Sequence, residues 1–336
     1  MNIPYKKLAL TGALSLGALG FAFGQVTSDP VGFVSKDLGP GFTTVGLNMV
    51  KPAVFAGNVS SSSANEVTVE ADVDFGTLLG DGSYYIEVTS GAIEGDRIDV
   101  ASGTGSTLTL NNAAAHNTLS DGSAVSGSIA VREHFTFADI TERLGTENIR
   151  SGTDAGNFVD GDQILLMGPA GFQANNFIEG NWFTAGFDPA DDRILAPASG
   201  FLYHRNAGGL AEPPSTLSMS VVGAVRTNDI VIPLSPGFQL VSTGYPMDIS
   251  PADLGINTQT GFVGAEGLED TDQSDAIIIR PEGAFQQVVL FTDDQWYNLA
   301  ADFANVTEAG LFGAGDSVIL RLAGTEYEPL IIDRPF

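Results

Sequence analysis

Two stretches decide the fold: FIEGNWF at residues 177–183 is matched by FTDDQWY at residues 291–297. Each lies in a longer block that begins with Asp-Ile and ends with Arg-x-Ala-Gly, and the two blocks run over residues 139–208 and 248–324. Such similarity between two parts of one chain indicates that one supersecondary unit is used twice. The sequence therefore predicts an internal duplication in which the two tryptophans occupy equivalent positions.

Short apolar runs separated by glycine-rich turns predict an all-β fold of sandwich or barrel domains. The chain contains 41 glycines and lacks long stretches with a helical period. Short helices are expected only at 139–144 and at 250–253, where Ser250 can act as the N-cap and Pro251 suits the first turn.

An aspartate that follows a small or polar residue introduces a predicted strand at six places. Asp favours the turn before a strand, because its side chain hydrogen-bonds nearby backbone amides. A catalytic or metal-binding aspartate seldom occurs in so many equivalent copies, so we interpret the set as structural. Its members are Asp96, Asp162, Asp192, Asp229, Asp275 and Asp316.

The repeat and the turn pattern predict how the chain divides into domains. Residues 1–24 form a signal peptide, and a first β domain combines residues 25–57 and 132–210. A small insert at 58–131, a β-meander or a barrel, interrupts this first domain, and the duplicate β domain covers residues 211–336.

The start of the chain has the features of an export signal. Lys6 and Lys7 precede an apolar run from Leu8 to Gly24 that ends in small residues, which predicts cleavage before Gln25. A membrane anchor is the other interpretation, but three glycines make the run short and loose for a span of roughly 20 residues. We expect the mature protein in the periplasm, at the cell surface or outside the cell, without disulfides because cysteine is absent.

The charge balance limits the classes of partner. Aspartate and glutamate number 41 against 14 lysines and arginines, a formal net charge of −27. Phosphate binding depends on Lys and Arg, which are scarce here, so we do not expect nucleic acid or anionic membranes as partners. The remaining candidates are a second copy of the chain, other envelope components or a polysaccharide.

Three features resemble a family of uncharacterised, signal-peptide-bearing exported proteins from Verrucomicrobia and Planctomycetes. They are SDPVGF at residues 28–33 shortly after the signal, YYIEVTSG at residues 84–91 followed by a Gly-Asp strand start, and the late tryptophan pattern. The resemblance covers nearly the whole mature chain. It implies a β-rich envelope or extracellular protein and carries over no activity and no site residues.

No set of residues in the sequence predicts catalysis. The histidines His116, His134 and His204 are isolated from one another, and the G-x-S-x-G motif of a serine hydrolase is absent. Carboxylates near the tryptophans, Glu179 and the pair 293–294, leave a glycosidase as a remote alternative. We therefore expect a protein that is not an enzyme.

An acidic loop offers the best candidate for a bound ion. Asp270, Asp272 and Asp275 place oxygen ligands at alternate positions, as calcium loops do. Asp154, Asp160 and Asp162 form a looser set at the matching place in the first block. Calcium is thus a possible cofactor, and solvated acidic loops are the competing interpretation.

The tryptophan motifs allow two interpretations. If they are exposed, Trp182 and Phe183, with Trp296 and Tyr297 in the second block, form platforms for sugar rings. If they are buried, they anchor the two cores. The leading hypothesis is accordingly an exported, non-enzymatic structural protein of the envelope or the exterior that self-assembles, and the alternative is a secreted carbohydrate-binding module.

Overall fold

The computed structural model describes residues 30–119, 124–152, 160–168, 170–207, 214–280 and 283–334. Strands predominate throughout these ranges, so the predicted all-β fold is confirmed. The predicted signal peptide at 1–24 lies outside the described residues.

The strands of the first part of the chain are β1 (Val31–Leu38), β2 (Gly41–Gly46), β3 (Ala53–Ser62), β4 (Glu66–Val69), β5 (Tyr84–Val88), β6 (Arg97–Thr104), β7 (Thr107–Leu110), β8 (Ser128–Glu133), β9 (Phe135–Thr136), β10 (Gln163–Gly168), β11 (Gly171–Ile178), β12 (Asn181–Thr184), β13 (Ile194–Leu195) and β14 (Gly200–Arg205). The later strands are β15 (Leu217–Ala224), β16 (Ile230–Ile232), β17 (Gly237–Val241), β18 (Ala276–Ile279), β19 (Gln286–Leu290), β20 (Trp296–Asn298), β21 (Ala304–Asn305), β22 (Val318–Leu322) and β23 (Leu330–Ile332). The helices are α1 (Phe75–Leu78) and α2 (Phe137–Leu144).

Six strands close into a barrel in the order β3-β4-β7-β6-β5-β8. This barrel corresponds to the predicted insert at 58–131, but its first strand already begins at Ala53. The sheet is closed rather than open, because β3 pairs with both β4 and β8. A shift of register in each of these pairings lets the long strand β3 bend around the barrel.

Two further sheets have the same strand order. The first runs β2-β14-β10-β11-β12, and the second runs β17-β22-β18-β19-β20 with β21 added at its edge. Each sheet has its own buried cluster, which includes Ile164 and Phe201 in the first and Ile277 and Leu320 in the second. The common order agrees with the predicted correspondence of the two blocks, and duplication as its origin stays a prediction.

The predicted helices have different outcomes. The helix expected at 139–144 is present within α2, where Asp139 accepts hydrogen bonds from the backbone and hydroxyl of Thr136. Asp253 accepts the same pair of bonds from Ser250, but residues 251–255 form turns rather than a helix. Gly255, at a φ of +64°, turns the chain away after one turn.

The two sheets contact each other at a third, smaller cluster. Leu202 of the first sheet is buried there with Leu240 and Ile319 of the second. Backbone hydrogen bonds cross the contact in both directions: the Gly46 amide donates to Gly315, and the Ser242 amide donates to Ala198. β1 forms an antiparallel pair with β15, although the sequence analysis assigned these two strands to different domains.

The barrel is joined to this pair of sheets by a buried ionic cluster. Successive side chains of a strand point to opposite faces, so Ile86 and Val88 fill the barrel while Glu87 points outward. Glu87 is only 1% exposed, and it pairs with Arg132 of the barrel at 2.9 Å and with Arg226 of the segment after β15.

Desolvation and charge act in opposite directions within this cluster. Burial by itself raises the pKa of Glu87, but the charges and hydrogen bonds of Arg226 and Arg132 lower it below its ordinary value. Burial also lowers the pKa of Arg97 to about 10, with a further contribution from the nearby Arg226. Arg97 donates to the carbonyl of Val231 at 2.9 Å, which gives the joint a second connection.

Close approach of the two sheets requires glycine at residue 200. A Cβ placed on Gly200 would lie 2.1 Å from the Cβ of Ser317. We predict that Gly200→Ala lowers the free energy of unfolding by about 1–3 kcal/mol through overpacking, measured by denaturant titration. Gly39→Ala is the matched control, since nothing lies within 4 Å of its added Cβ.

A second substitution tests the cause. Ser317→Gly in the Gly200→Ala background removes the nearest obstructing atom, so it should recover part of the lost stability. Equal stability of the Gly200→Ala and Gly39→Ala proteins would contradict the close approach.

Candidate functional site

Trp182, predicted as a ligand platform or a core anchor, is completely buried. Its indole Nε1 donates to the Thr141 hydroxyl of α2 at 2.8 Å, and its backbone amide donates to Asp191 at 3.0 Å. The rings of Phe137 and Phe177 pack against it at centroid distances of 5.8 and 5.0 Å. The residue therefore fixes α2 to the first sheet.

Trp296 occupies the matching place in the second sheet and is 1% exposed. Its Nε1 donates to the Ile256 carbonyl at 2.8 Å, and its amide donates to the Thr307 hydroxyl at 2.8 Å. Both indole faces are thus covered, and neither tryptophan offers a surface to a sugar ring. Phe183 and Tyr297 remain half-buried, and the Tyr297 hydroxyl donates to Asp293 at 2.9 Å.

The structure corrects the residue equivalence around the tryptophans. Trp182 lies opposite Phe177 in its hairpin, whereas Trp296 lies opposite Leu290. Phe291 therefore corresponds to Ile178, and the turn before Trp296 is one residue longer. The phenylalanine of each motif hides this difference in turn length, because Phe291 stands one position after the residue that pairs with its tryptophan.

Asp162, at the start of β10, is a buried acceptor with four hydrogen bonds. Its carboxylate receives the hydroxyl of Tyr203 at 2.9 Å, Nη1 of Arg205 at 3.2 Å, and the amides of Arg150 and Asn206 at 3.1 and 3.0 Å. Burial and then the charge of Asp162 raise the pKa of Tyr203, so the tyrosine stays protonated. The aspartate is structural, as the recurring strand-start pattern indicated.

Asp275 is a similar buried acceptor with three hydrogen bonds at the start of β18. Its carboxylate accepts from the amides of Val263 at 2.8 Å and Ala323 at 2.6 Å, and from the hydroxyl of Tyr327 at 2.6 Å. Burial and the hydrogen bond to Asp275 raise the pKa of Tyr327. The Asp275 oxygens that the calcium hypothesis assigned to a metal are therefore engaged within the protein.

The other predicted calcium ligands do not join Asp275. Asp270 is partly exposed and Asp272 is exposed, while Asp275 is 1% exposed. Across the described ranges, no three His, Asp or Glu side chains lie close enough to hold a metal ion. Asp154 of the looser set lies outside these ranges, and calcium binding stays a prediction that this geometry does not support.

Two of the histidines are not isolated as the sequence indicated. The segments that follow β7 and β8 bring the rings of His116 and His134 to a centroid distance of 5.8 Å. His134 is 1% exposed and contacts Asp99 at 2.9 Å, and burial lowers the pKa of His116. His204 stacks on Phe42 at 4.2 Å in another part of the molecule.

The carboxylate near Trp296 also has a structural role. Asp294 accepts hydrogen bonds from the amide and hydroxyl of Thr258 and from the side chain of Gln259. The Thr258 hydroxyl is the main cause of its lowered pKa. Asp294 itself has a φ of +62°, so its main chain forms a tight turn beside the short 3-10 segment.

Sequence reasoning missed the partners of the buried charges. Glu87 and Arg226 are separated by 139 residues, and Asp275 and Tyr327 by 52. The only local signal is that Glu87 and Arg97 alternate with apolar residues, a pattern that normally marks a solvent-facing side.

Comparisons of the chain with protein-family models, with curated proteins and with solved structures find no match. No helix among the described residues combines the length and apolarity that crossing a membrane requires.

The hydrogen bonds of Asp275 lead to a test that separates structure from calcium binding. We predict that Asp275→Asn lowers the free energy of unfolding by about 1–3 kcal/mol, because an amide nitrogen then faces donors that lose their acceptor. Asp272→Asn, on an exposed side chain, should change it by less than about 0.5 kcal/mol.

Thermal unfolding with added calcium and with chelator completes this test. The structure predicts the same difference between the two variants in both conditions. A calcium-dependent stabilisation of the wild type that both substitutions abolish would contradict the structural role and support a metal site.

Proposed function

We propose that the protein is an exported, non-enzymatic structural component of the cell envelope or the exterior that associates with copies of itself. Its export rests on the signal-like residues 1–24, and its place in the envelope rests on the family resemblance of the mature sequence. The contacts of the buried polar residues favour a structural role over chemistry.

The observation that carries the proposal is the use of the buried carboxylates. Glu87 joins the barrel to the sheets, Asp162 and Asp275 close equivalent turns, and Asp99 contacts His134. Each has protein partners at hydrogen-bond distance, as expected of groups that hold a scaffold together.

The ribbon formed by β1 and β15 supplies a surface for self-association. Its outer face carries Val31, Phe33 and Val222, which are 72%, 73% and 54% exposed. Phe33 lies opposite Val222, and Gly32 lies opposite Gly223. In a twofold dimer, this apolar face would pack against the same face of a second copy.

Net charge opposes this association. Two copies with a formal charge of −27 repel each other at low ionic strength, and salt screens that repulsion over about 10 Å at 0.1 M. Association through the apolar ribbon should therefore strengthen with salt, because salt weakens the repulsion between the copies and leaves the hydrophobic contact in place.

Light scattering of the mature protein across concentration and salt tests the proposal. We predict assemblies larger than a monomer that increase with salt and are lost in Phe33→Ser. Phe303→Ser is the control, since Phe303 is 42% exposed and lies in the turn before β21. A monomer in all conditions, or equal loss of association in both variants, would contradict assembly through this ribbon.

A further inference from the structure

A cleft of about 350 Å³ opens where β1 and β2 meet the second sheet. Ligand pockets in proteins generally have volumes of about 300–1,000 Å³, so the cleft can admit a small molecule. It is separate from both tryptophans and from the acidic loop near Asp270. It is lined by Lys36, Thr44, Ile279, Arg280, Gly310, Leu311, Asp316, Ser317 and Val318.

The cleft concentrates positive charge in an acidic protein. Lys36 pairs with Asp316, which compensates one cation. Arg280 is the second cation, and no described acidic side chain forms a salt bridge with it. Among the lining side chains two cations accompany one carboxylate, so a singly charged anion balances the lining better than a phosphate dianion does.

The guanidinium of Arg280 is held in place yet keeps donors free. It lies 5.5 Å from the ring centroid of Phe285, a cation–π contact that orients its plane. Its Nε is buried and has no hydrogen-bond partner within the described ranges. No described residue accepts a hydrogen bond from this guanidinium, so its terminal nitrogens are available to an acceptor from outside the chain.

Hydroxyl groups and apolar side chains complete the lining. Ser317 is 2% exposed, and its Oγ has no hydrogen-bond partner among the described residues. Thr44 lies beside the carboxylate of Asp316 at 3.5 Å, so both can meet hydroxyl groups of a ligand. Ile279 and Leu311 supply apolar surface next to these polar groups.

We propose that this cleft binds a sugar acid, through a guanidinium–carboxylate contact at Arg280. A planar carboxylate suits the donors of arginine. The ring hydroxyls would meet Thr44 and Asp316, and the apolar face of the ring would pack on Ile279 and Leu311. A neutral sugar would leave the charge of Arg280 without a counter-ion.

Isothermal titration calorimetry of the full mature chain with D-galacturonate, with its oligomers and with neutral galactose tests the proposal. We expect the uronate to bind at least tenfold more tightly than galactose. Arg280→Gln should weaken the binding of the uronate at least tenfold. Arg334→Gln removes the same charge from a side chain that is 55% exposed and lies outside the cleft, and it should leave binding unchanged.

The arms of the experiment distinguish the source of the ligand. Oligomers that bind at least as tightly per site as the monomer indicate a uronate residue of a polysaccharide, and binding of the monomer alone indicates a free sugar acid. Equal binding of uronate and galactose, or unchanged uronate affinity in Arg280→Gln with wild-type thermal unfolding, would overturn the proposal. The titration measures binding in the cleft and light scattering measures association through the β1–β15 ribbon, so failure of one proposal is distinct from failure of the other.

Discussion

The arrangement of the three parts depends on one buried carboxylate. Glu87 projects from the outer face of the barrel and meets Arg132 from the same barrel and Arg226 from the segment after β15. Its environment is almost completely dry, so each charge depends on the others for compensation. Removing one member of such a pair costs about 3–5 kcal/mol, because a buried charge is then left alone.

The two sheets repeat a smaller set of contacts around this joint. In each sheet a buried aspartate receives a tyrosine hydroxyl, and a tryptophan indole donates to the segment that covers the core. Between the sheets, amides donate in both directions, and Gly46 and Gly200 leave room for the facing backbone and Ser317. The hydrogen bonds of the aspartate and the tryptophan therefore stabilise each sheet internally. The backbone hydrogen bonds between the sheets and the ionic cluster around Glu87 fix how the parts are arranged.

The sequence was informative where the signal is local. Glycine-rich turns and short apolar runs predicted the β class, and the repeat located both tryptophans and the short helix at 139–144, which lies within α2. Long-range partners leave no such signal. Glu87 and Arg97 alternate with apolar residues in the barrel strands, a pattern that predicts a solvent-exposed face. Another part of the chain covers that face. The same limitation made the acidic loop look like a calcium site, because the bonds from Ala323 and Tyr327 to Asp275 come from residues far along the chain.

Hydrogen exchange of the wild type and Glu87→Gln, followed by mass spectrometry, tests the central role of this carboxylate most directly. The substitution preserves the shape of the side chain and removes its charge, so Arg132 and Arg226 both lose their counter-ion. The account predicts faster exchange in β5 and β8 of the barrel and, equally, in the distant segment from Arg226 to Ile232. Faster exchange confined to the barrel, with residues 226–232 unchanged, would show that Glu87 does not hold the parts together.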